Sequence, residues 1–273
     1  MAPFDDCIRD LRSCVDSLRQ RAPLAAKELY HPGAPGQLVE GLPIHFGADS
    51  NPGVLLRSDT FLELGNPATG SCAAAMWTDD TSLVVDGRIT VVGPDIPDVG
   101  DIGGIANLAG ADGSSSRSLP FAQVLLAAGP DLCEDDHEQI LQVQHVGDRV
   151  EGYMVRSTSE YVWARVSNDA ATKGFDLESL GRILLHLTKT AIPKASAAEV
   201  VFVTTSKDDV ERMSEVVNRA KSIGRDMVSE LWKARGFDLD CDFDCGSCSD
   251  EAVCDDIRDV IVATKQKARG TRA

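Results

Sequence analysis

Apolar residues Cys7, Ile8, Leu11, Cys14, Val15 and Leu18 recur at three- and four-residue intervals. That spacing predicts one face of a helix from Phe4 to about Lys27, weakened at Pro23. Cys7 and Cys14 lie on the stripe and read as small core residues rather than ligands. His31 to Pro52 is rich in Gly and Pro and predicts an irregular connection. Thr60 to Gly65 has a strand pattern, and Asn66-Pro-Ala-Thr-Gly-Ser71 imposes a turn after it. Ser82 to Val85 and Arg88 to Gly93 flank Asp86-Gly87, a local signal for a β-hairpin. Pro94 to Pro120, dominated by Gly, Asp, Ser and Pro, predicts a long surface loop.

Further on, Ile140-Leu-Gln-Val143 and the alternating Tyr161 to Val166 read as strands. Asp176 caps a helix to about Thr190, with Leu180, Ile183, Leu184 and Leu187 on one side and Pro193 beyond its end. Glu199 to Thr204 predicts a strand. Ser206, with Asp209 three residues on, starts a long helix that stops before Gly236, with Gly224 as the candidate break. Strands and helices mix without regular βαβ alternation. The expected fold class is therefore α+β, a mixed β-sheet with flanking helices, followed by a C-terminal cysteine-rich metal-binding loop and helix. The expected divisions are an N-terminal helix and connection over 1–57, an α+β domain over 58–236, and a four-cysteine segment with its helix over 237–273.

Composition narrows what this fold can do. At 273 residues the chain can bury a core without disulfide staples, and its 43% hydrophobic share contains no apolar run near the roughly 18 to 20 residues of a membrane span. The start, MAPFDDCIRDLRSC, lacks a secretory signal, so a cytoplasmic protein is expected. In that reducing compartment, eight cysteines point to metal or redox chemistry rather than disulfides. A net charge of −16 repels phosphate backbones and anionic lipids, which argues against nucleic acid or membrane as partner and favours a protein with a basic face.

The chemistry concentrates near the end. Cys241, Cys245, Cys248 and Cys254 form a Cys-x3-Cys-x2-Cys-x5-Cys pattern, four soft thiolates in one short stretch. Structural zinc sites usually take two close pairs separated by a longer loop. A wider cubane presents four iron corners that one continuous loop can wrap. The spacing thus favours a [4Fe-4S] cluster, with zinc as the alternative and unligated thiols as the bland reading. Ser249 stands where an N-cap belongs, Asp250 and Glu251 occupy the first turn, and Lys265, Lys267 and Arg269 close the helix. Cys254 would project from its second turn, and Gly246 lets the backbone approach the centre. Asp238, Asp240, Asp242, Asp244, Asp250, Asp255 and Asp256 surround the ligands. Their field would lower a cluster's reduction potential, or they simply keep the loop solvated.

Three blocks resemble a known family: Phe61 to Gly70 (FLELGNPATG), Asp86 to Ile96 (DGRITVVGPDI) and Tyr161 to Phe175 (YVWARVSNDAATKGF). They are similar, in the same order, to the middle domain of acetyl-CoA synthase, the nickel-containing partner of carbon monoxide dehydrogenase. Val201 to Thr204, leading into Lys207 to Val210, continues the similarity, which covers roughly 58 to 230. In that family the nickel and iron-sulfur active centre lies in a further domain with widely spaced cysteines and a Cys-Gly-Cys. This chain has no Cys-Gly-Cys, and its compact cysteine motif departs from the family spacing. The resemblance therefore implies the scaffold and its metabolic setting, not acetyl-CoA synthesis.

Other candidates read as structural. His31, His45, His137, His145 and His186 are scattered with no nucleophile beside them in sequence. Cys72 reads as a buried thiol, and Gly100 to Gly113 lacks the strand, spacing and Lys of a phosphate loop. Three functions are expected to compete. The first is an iron-sulfur accessory or electron-transfer subunit for a redox, corrinoid or acyl-CoA enzyme of one-carbon metabolism. The second is a subunit whose cluster forms part of a shared active site. The third is a zinc-stabilised interaction module.

Overall fold

The computed structural model describes residues 2–21, 23–47, 55–100, 106–109, 115–144, 149–158 and 161–234, all within one unit, Met1–Gly236. The first apolar stripe winds into α1 (Asp5–Arg21), whose Cys7, Ile8, Leu11, Val15 and Leu18 are buried. The helix ends earlier than the spacing predicts. After Pro23 the chain makes a single 3-10 turn and enters β1 (Ala26–Tyr30). A one-turn helix, α2 (Pro35–Leu38), interrupts the connection, and β2 (Thr60–Leu64) follows as expected.

The chain then runs through β3 (Ser71–Thr78), β4 (Arg88–Val92), β5 (Ala106–Ala109), β6 (Ser115–Leu119), β7 (Phe121–Ala128) and α3 (His137–Val143). Next come β8 (Tyr153–Thr158), β9 (Tyr161–Ser167), α4 (Asn168–Thr172), α5 (Leu177–Ala191), β10 (Ala197–Val203) and α6 (Lys207–Ala234). The architecture is α+β, but the strands form two mixed sheets, where one was expected. The first has the order β1-β4-β10-β7-β3 and the second β5-β6-β2-β9-β8. In the first, β10 runs parallel to β4 and antiparallel to β7, while β3 runs parallel to β7.

Every residue of β7 and β10 is buried, as befits central strands covered on both faces. α1 and α6 cover one face: Asp5 accepts a 2.7 Å hydrogen bond from Thr78, and the Cys72 thiol points at the Val210 carbonyl. On the other face α5 approaches closely, because a Cβ on Gly181 would stand 2.8 Å from Ile89. Asp176 caps α5 by accepting from the Ser179 N–H at 2.7 Å, as its position predicts.

Four expectations are corrected. Asp86-Gly87 turns no hairpin: residues 81–83 form a 3-10 turn capped by Asp80, and β4 pairs with β1 and β10 instead. The Gly87 N–H donates to Ala198, and its positive φ of 73° brings it so near His31 that a Cβ would lie 2.4 Å from that carbonyl oxygen. Residues 140–143 lie in helix α3, not in a strand. The supposed long loop over 94–120 contains β5 and β6. Gly224 does not interrupt α6, which runs unbroken for 28 residues.

Candidate functional site

Cys241, Cys245, Cys248 and Cys254 lie outside the described residues, as do the helix and aspartates expected around them. Their fit to a metal centre rests on donor chemistry. Four thiolates within one continuous segment satisfy the four iron corners of a [4Fe-4S] cluster and equally the four-coordinate demand of zinc. Among the described residues, no group of three or more His, Cys, Asp or Glu side chains could hold a metal ion.

The fold withdraws three of the other thiols from chemistry. Cys7 and Cys72 are buried, and Cys14 packs partly buried against the core. Burial pushes the Cys72 thiol up to about 11 and raises those of Cys7 and Cys14, so all three are held as neutral thiols near pH 7. Three of the histidines make contacts within the scaffold. His31 Nε2 lies 3.0 Å from Glu178, and His186 Nδ1 lies 2.7 Å from the Pro35 carbonyl. His137 is buried beside the Phe4 ring, with centroids 5.1 Å apart, and burial lowers its pKa to about 4. His145 falls outside the described residues.

The polar chemistry the fold does assemble is a set of buried ion pairs. Glu199, in the central strand β10, lies 2.8 Å from both Arg12 of α1 and Arg88 of β4 and accepts the Val85 N–H at 3.0 Å. Arg88 continues to Glu28 at 3.7 Å, and Glu28 to Arg19 at 3.0 Å. This alternating chain of charge lines a cavity of about 80 Å³ and ties α1 to three strands. In the second sheet, Glu63 and Arg165 are register partners across β2 and β9 and form a 3.2 Å pair. Glu63 also accepts from Asn66 at 2.7 Å, at the start of the Asn-Pro-Ala-Thr-Gly turn. Arg165 stacks on Trp163 at 5.6 Å and Arg117 on Phe61 at 5.3 Å, so cations meet aromatic faces twice on this sheet. Glu199, Arg12, Arg88, Glu28, Arg19, Glu63 and Arg165 each face an opposite charge, a pattern of scaffolding rather than of an open catalytic constellation.

Sequence reading missed one exposed thiol. Cys133 begins the turn before α3, where its N–H donates to Asp136 at 3.0 Å and its sulfur lies 4.0 Å from Lys194. Nothing in the spacing around Cys133 marks it, because its neighbours come from a turn and from the distant approach to β10.

The family described as CO dehydrogenase/acetyl-CoA synthase complex beta subunit matches residues 42–210, more than half of the chain, from before β2 into the first turn of α6. The acetyl-CoA decarbonylase/synthase complex subunit beta of Methanopyrus kandleri is 28% identical over 191 residues, covering 66% of this chain and 38% of that protein. Subunit beta 1 of Methanosarcina mazei is 27% identical over 182 residues, 66% of this chain and 33% of its own length. Subunit beta 2 of Methanocaldococcus jannaschii is 22% identical over 214 residues, 77% of this chain and 40% of its own. The chain thus spans between a third and two fifths of the length of these three curated relatives. With the match taking in strands of both sheets and helix α5, the chain belongs to the CO dehydrogenase/acetyl-CoA synthase complex beta subunit family.

Proposed function

We propose that this chain is an accessory iron-sulfur subunit of a complex in one-carbon or acyl-CoA metabolism. It presents a family scaffold over 58–236 and binds one [4Fe-4S] cluster through Cys241, Cys245, Cys248 and Cys254. The observation that carries the reading is a four-thiolate motif in a chain whose family belongs to such a complex and whose described part is rich in internal ion pairs. When bound, the cluster supplies single-electron transfer. The chain's own part is to donate the thiolates and to offer a rigid, acidic body to a redox or corrinoid enzyme with a basic face. A cytoplasmic setting, reducing enough to keep the thiols available, completes the proposal. No helix among the described residues is long and apolar enough to cross a membrane.

Anaerobic purification with iron and sulfide analysis, followed by electron paramagnetic resonance of the dithionite-reduced protein, tests this. About four irons per chain and a reduced-cluster signal are expected. Colourless protein holding one zinc would overturn it in favour of a zinc-stabilised module.

A further inference from the structure

After β1 the chain crosses α5 as a strap over residues 32–47, which includes the one-turn helix α2. Both ends are tied down. The His31 N–H donates to the Gly87 carbonyl at 2.8 Å, and the Gly47 N–H donates to the Arg149 carbonyl at 3.1 Å. Between these anchors the strap is held by three α5 side chains at i, i+4 and i+7, a spacing that puts them on one side of the helix. Arg182 donates to the Leu38 carbonyl at 2.8 Å and to the Glu40 carbonyl at 2.6 Å. His186 Nδ1 lies 2.7 Å from the Pro35 carbonyl, and because a carbonyl only accepts, that contact places a proton on Nδ1. Lys189 donates to the Gly33 carbonyl at 3.0 Å and has Asp86 as a second partner at 2.8 Å. The strap therefore runs antiparallel to α5, carbonyl after carbonyl along one row of nitrogen donors.

Apolar burial adds little to this hold. Of residues 32–47 only Leu38 and Ile44 are buried, with Val39, Leu42 and Phe46 packed partly buried against the core. The inner face of α5 is secured separately, because Leu180, Ile183 and Leu184 are fully buried and Gly181 closes on Ile89. The helix thus keeps its place without the strap. A segment with few buried apolar contacts and an exposed backbone opens at a lower free energy than a core strand, since water can take over its hydrogen bonds. We infer that residues 32–47 form a clasp that opens as one unit while both sheets stay folded, uncovering the row of Arg182, His186 and Lys189 on α5. In a chain of net charge −16 that row is a local reserve of nitrogen donors, which the strap carbonyls occupy while the clasp is closed. The inference uses the scaffold alone and stands whether or not a cluster is bound.

Amide hydrogen exchange of the full chain, read by mass spectrometry at rising urea below the unfolding transition, tests the clasp. Peptides covering 33–46 and 197–203 are compared, the second being the wholly buried strand β10. Protection of 33–46 is expected to be at least about 100-fold lower than that of 197–203 and nearly independent of urea, because opening the clasp exposes little surface. Arg182→Ala removes two of the bonds that hold the strap and should speed exchange of 33–46 about tenfold, leaving 197–203 within about twofold. Acetylation of Lys189 by N-hydroxysuccinimidyl acetate should accelerate in the same variant, because its amine is released together with Gly33. Exchange of 33–46 with the urea dependence of 197–203 would overturn the clasp. Equal acceleration of both peptides, or a Lys189 rate that the substitution leaves unchanged, would do the same. The urea series uses the unmodified chain and so does not depend on the variant folding.

Discussion

Arg12 reaches out of α1 to place its guanidinium 2.8 Å from the carboxylate of Glu199, in the middle of a fully buried strand. The same guanidinium donates to the Leu83 carbonyl, so one side chain pins the N-terminal helix to two separate segments. Removing one partner of a buried pair is costly because the other charge stays behind undersolvated. Arg88, also 2.8 Å from Glu199, softens the loss. Arg12→Ala should therefore cost about 2 kcal/mol in chemical denaturation, less than the 3–5 kcal/mol of a wholly orphaned charge. Burial already holds the Glu199 pKa above the ordinary carboxylate value, and Arg12 pulls it down. Without Arg12 it rises further, and the folded state then takes up a proton before the unfolded state does. The deficit of Arg12→Ala should accordingly shrink when denaturation is repeated at pH 5 instead of pH 7.5, and a deficit that grows on acidification would refute this account.

His137 gives a pH dependence of the opposite sense. Its pKa falls from 6.5 to about 4 because burial disfavours the imidazolium, and its Nδ1 has no hydrogen-bond partner. Between those values the unfolded chain is protonated and the folded chain is not. Stability is unaffected by this group above pH 6.5, and it declines as the pH falls toward 4. The shift corresponds to at most about 3 kcal/mol. His137→Phe, which keeps a ring beside Phe4, should flatten the stability profile over that window, as read by thermal unfolding at half-unit pH steps.

The same histidine explains why α6 tolerates a glycine in its interior. A Cβ on Gly224 would stand 2.5 Å from His137 Nε2. Gly to Ala in a free helix gains about 1 kcal/mol, but an overpacked contact costs about 1–3 kcal/mol, and here the contact should win. Gly224→Ala is expected to destabilise the wild-type background and to stabilise the His137→Ala background. A double-mutant cycle by urea denaturation measures the reversal of sign.

How much of this was legible in the residues depends on where each signal resides. The α1 stripe, the Asp176 cap and the Glu199 to Thr204 strand carry their information locally: the stripe lies in α1 although the helix stops at Arg21, Asp176 caps α5, and the strand forms as Ala197–Val203. The Asp86-Gly87 hairpin failed because β4 finds its partners in β1 and β10, far away in sequence, and those pairings override a turn signal of two residues. Ile140 to Val143 is too short for its period to separate strand from helix, and the helix is decided by its continuation back to His137. β3, with Ala73, Ala74 and Ala75, has too little β-branched character to announce itself, although it pairs with β7 along its whole length. The thiol of Cys133 was illegible for a related reason: its neighbours Asp136 and Lys194 come from a turn and from a distant stretch.

The four C-terminal thiols and the three core thiols should separate cleanly under substitution. Cys72 is buried against α6 with its thiol pushed up to about 11, so it is a poor ligand at neutral pH. Cys72→Ser should leave the iron content unchanged and lower stability by roughly 1–2 kcal/mol, because the hydroxyl is smaller and more polar than the sulfur it replaces. Cys248→Ser removes one of four thiolates and substitutes a harder oxygen donor. It should lose most of the iron, or shift the reduced signal, while the unfolding of the scaffold over 58–236 stays within about 0.5 kcal/mol of wild type. Prolonged chelation of the unmodified protein should reproduce the Cys248→Ser result and not the Cys72→Ser one. Iron analysis and denaturation of the same samples decide the matter. Equal iron loss from both variants would mean that the metal is bound by the fold at large, and retention of full iron in Cys248→Ser would remove that cysteine from the ligand set.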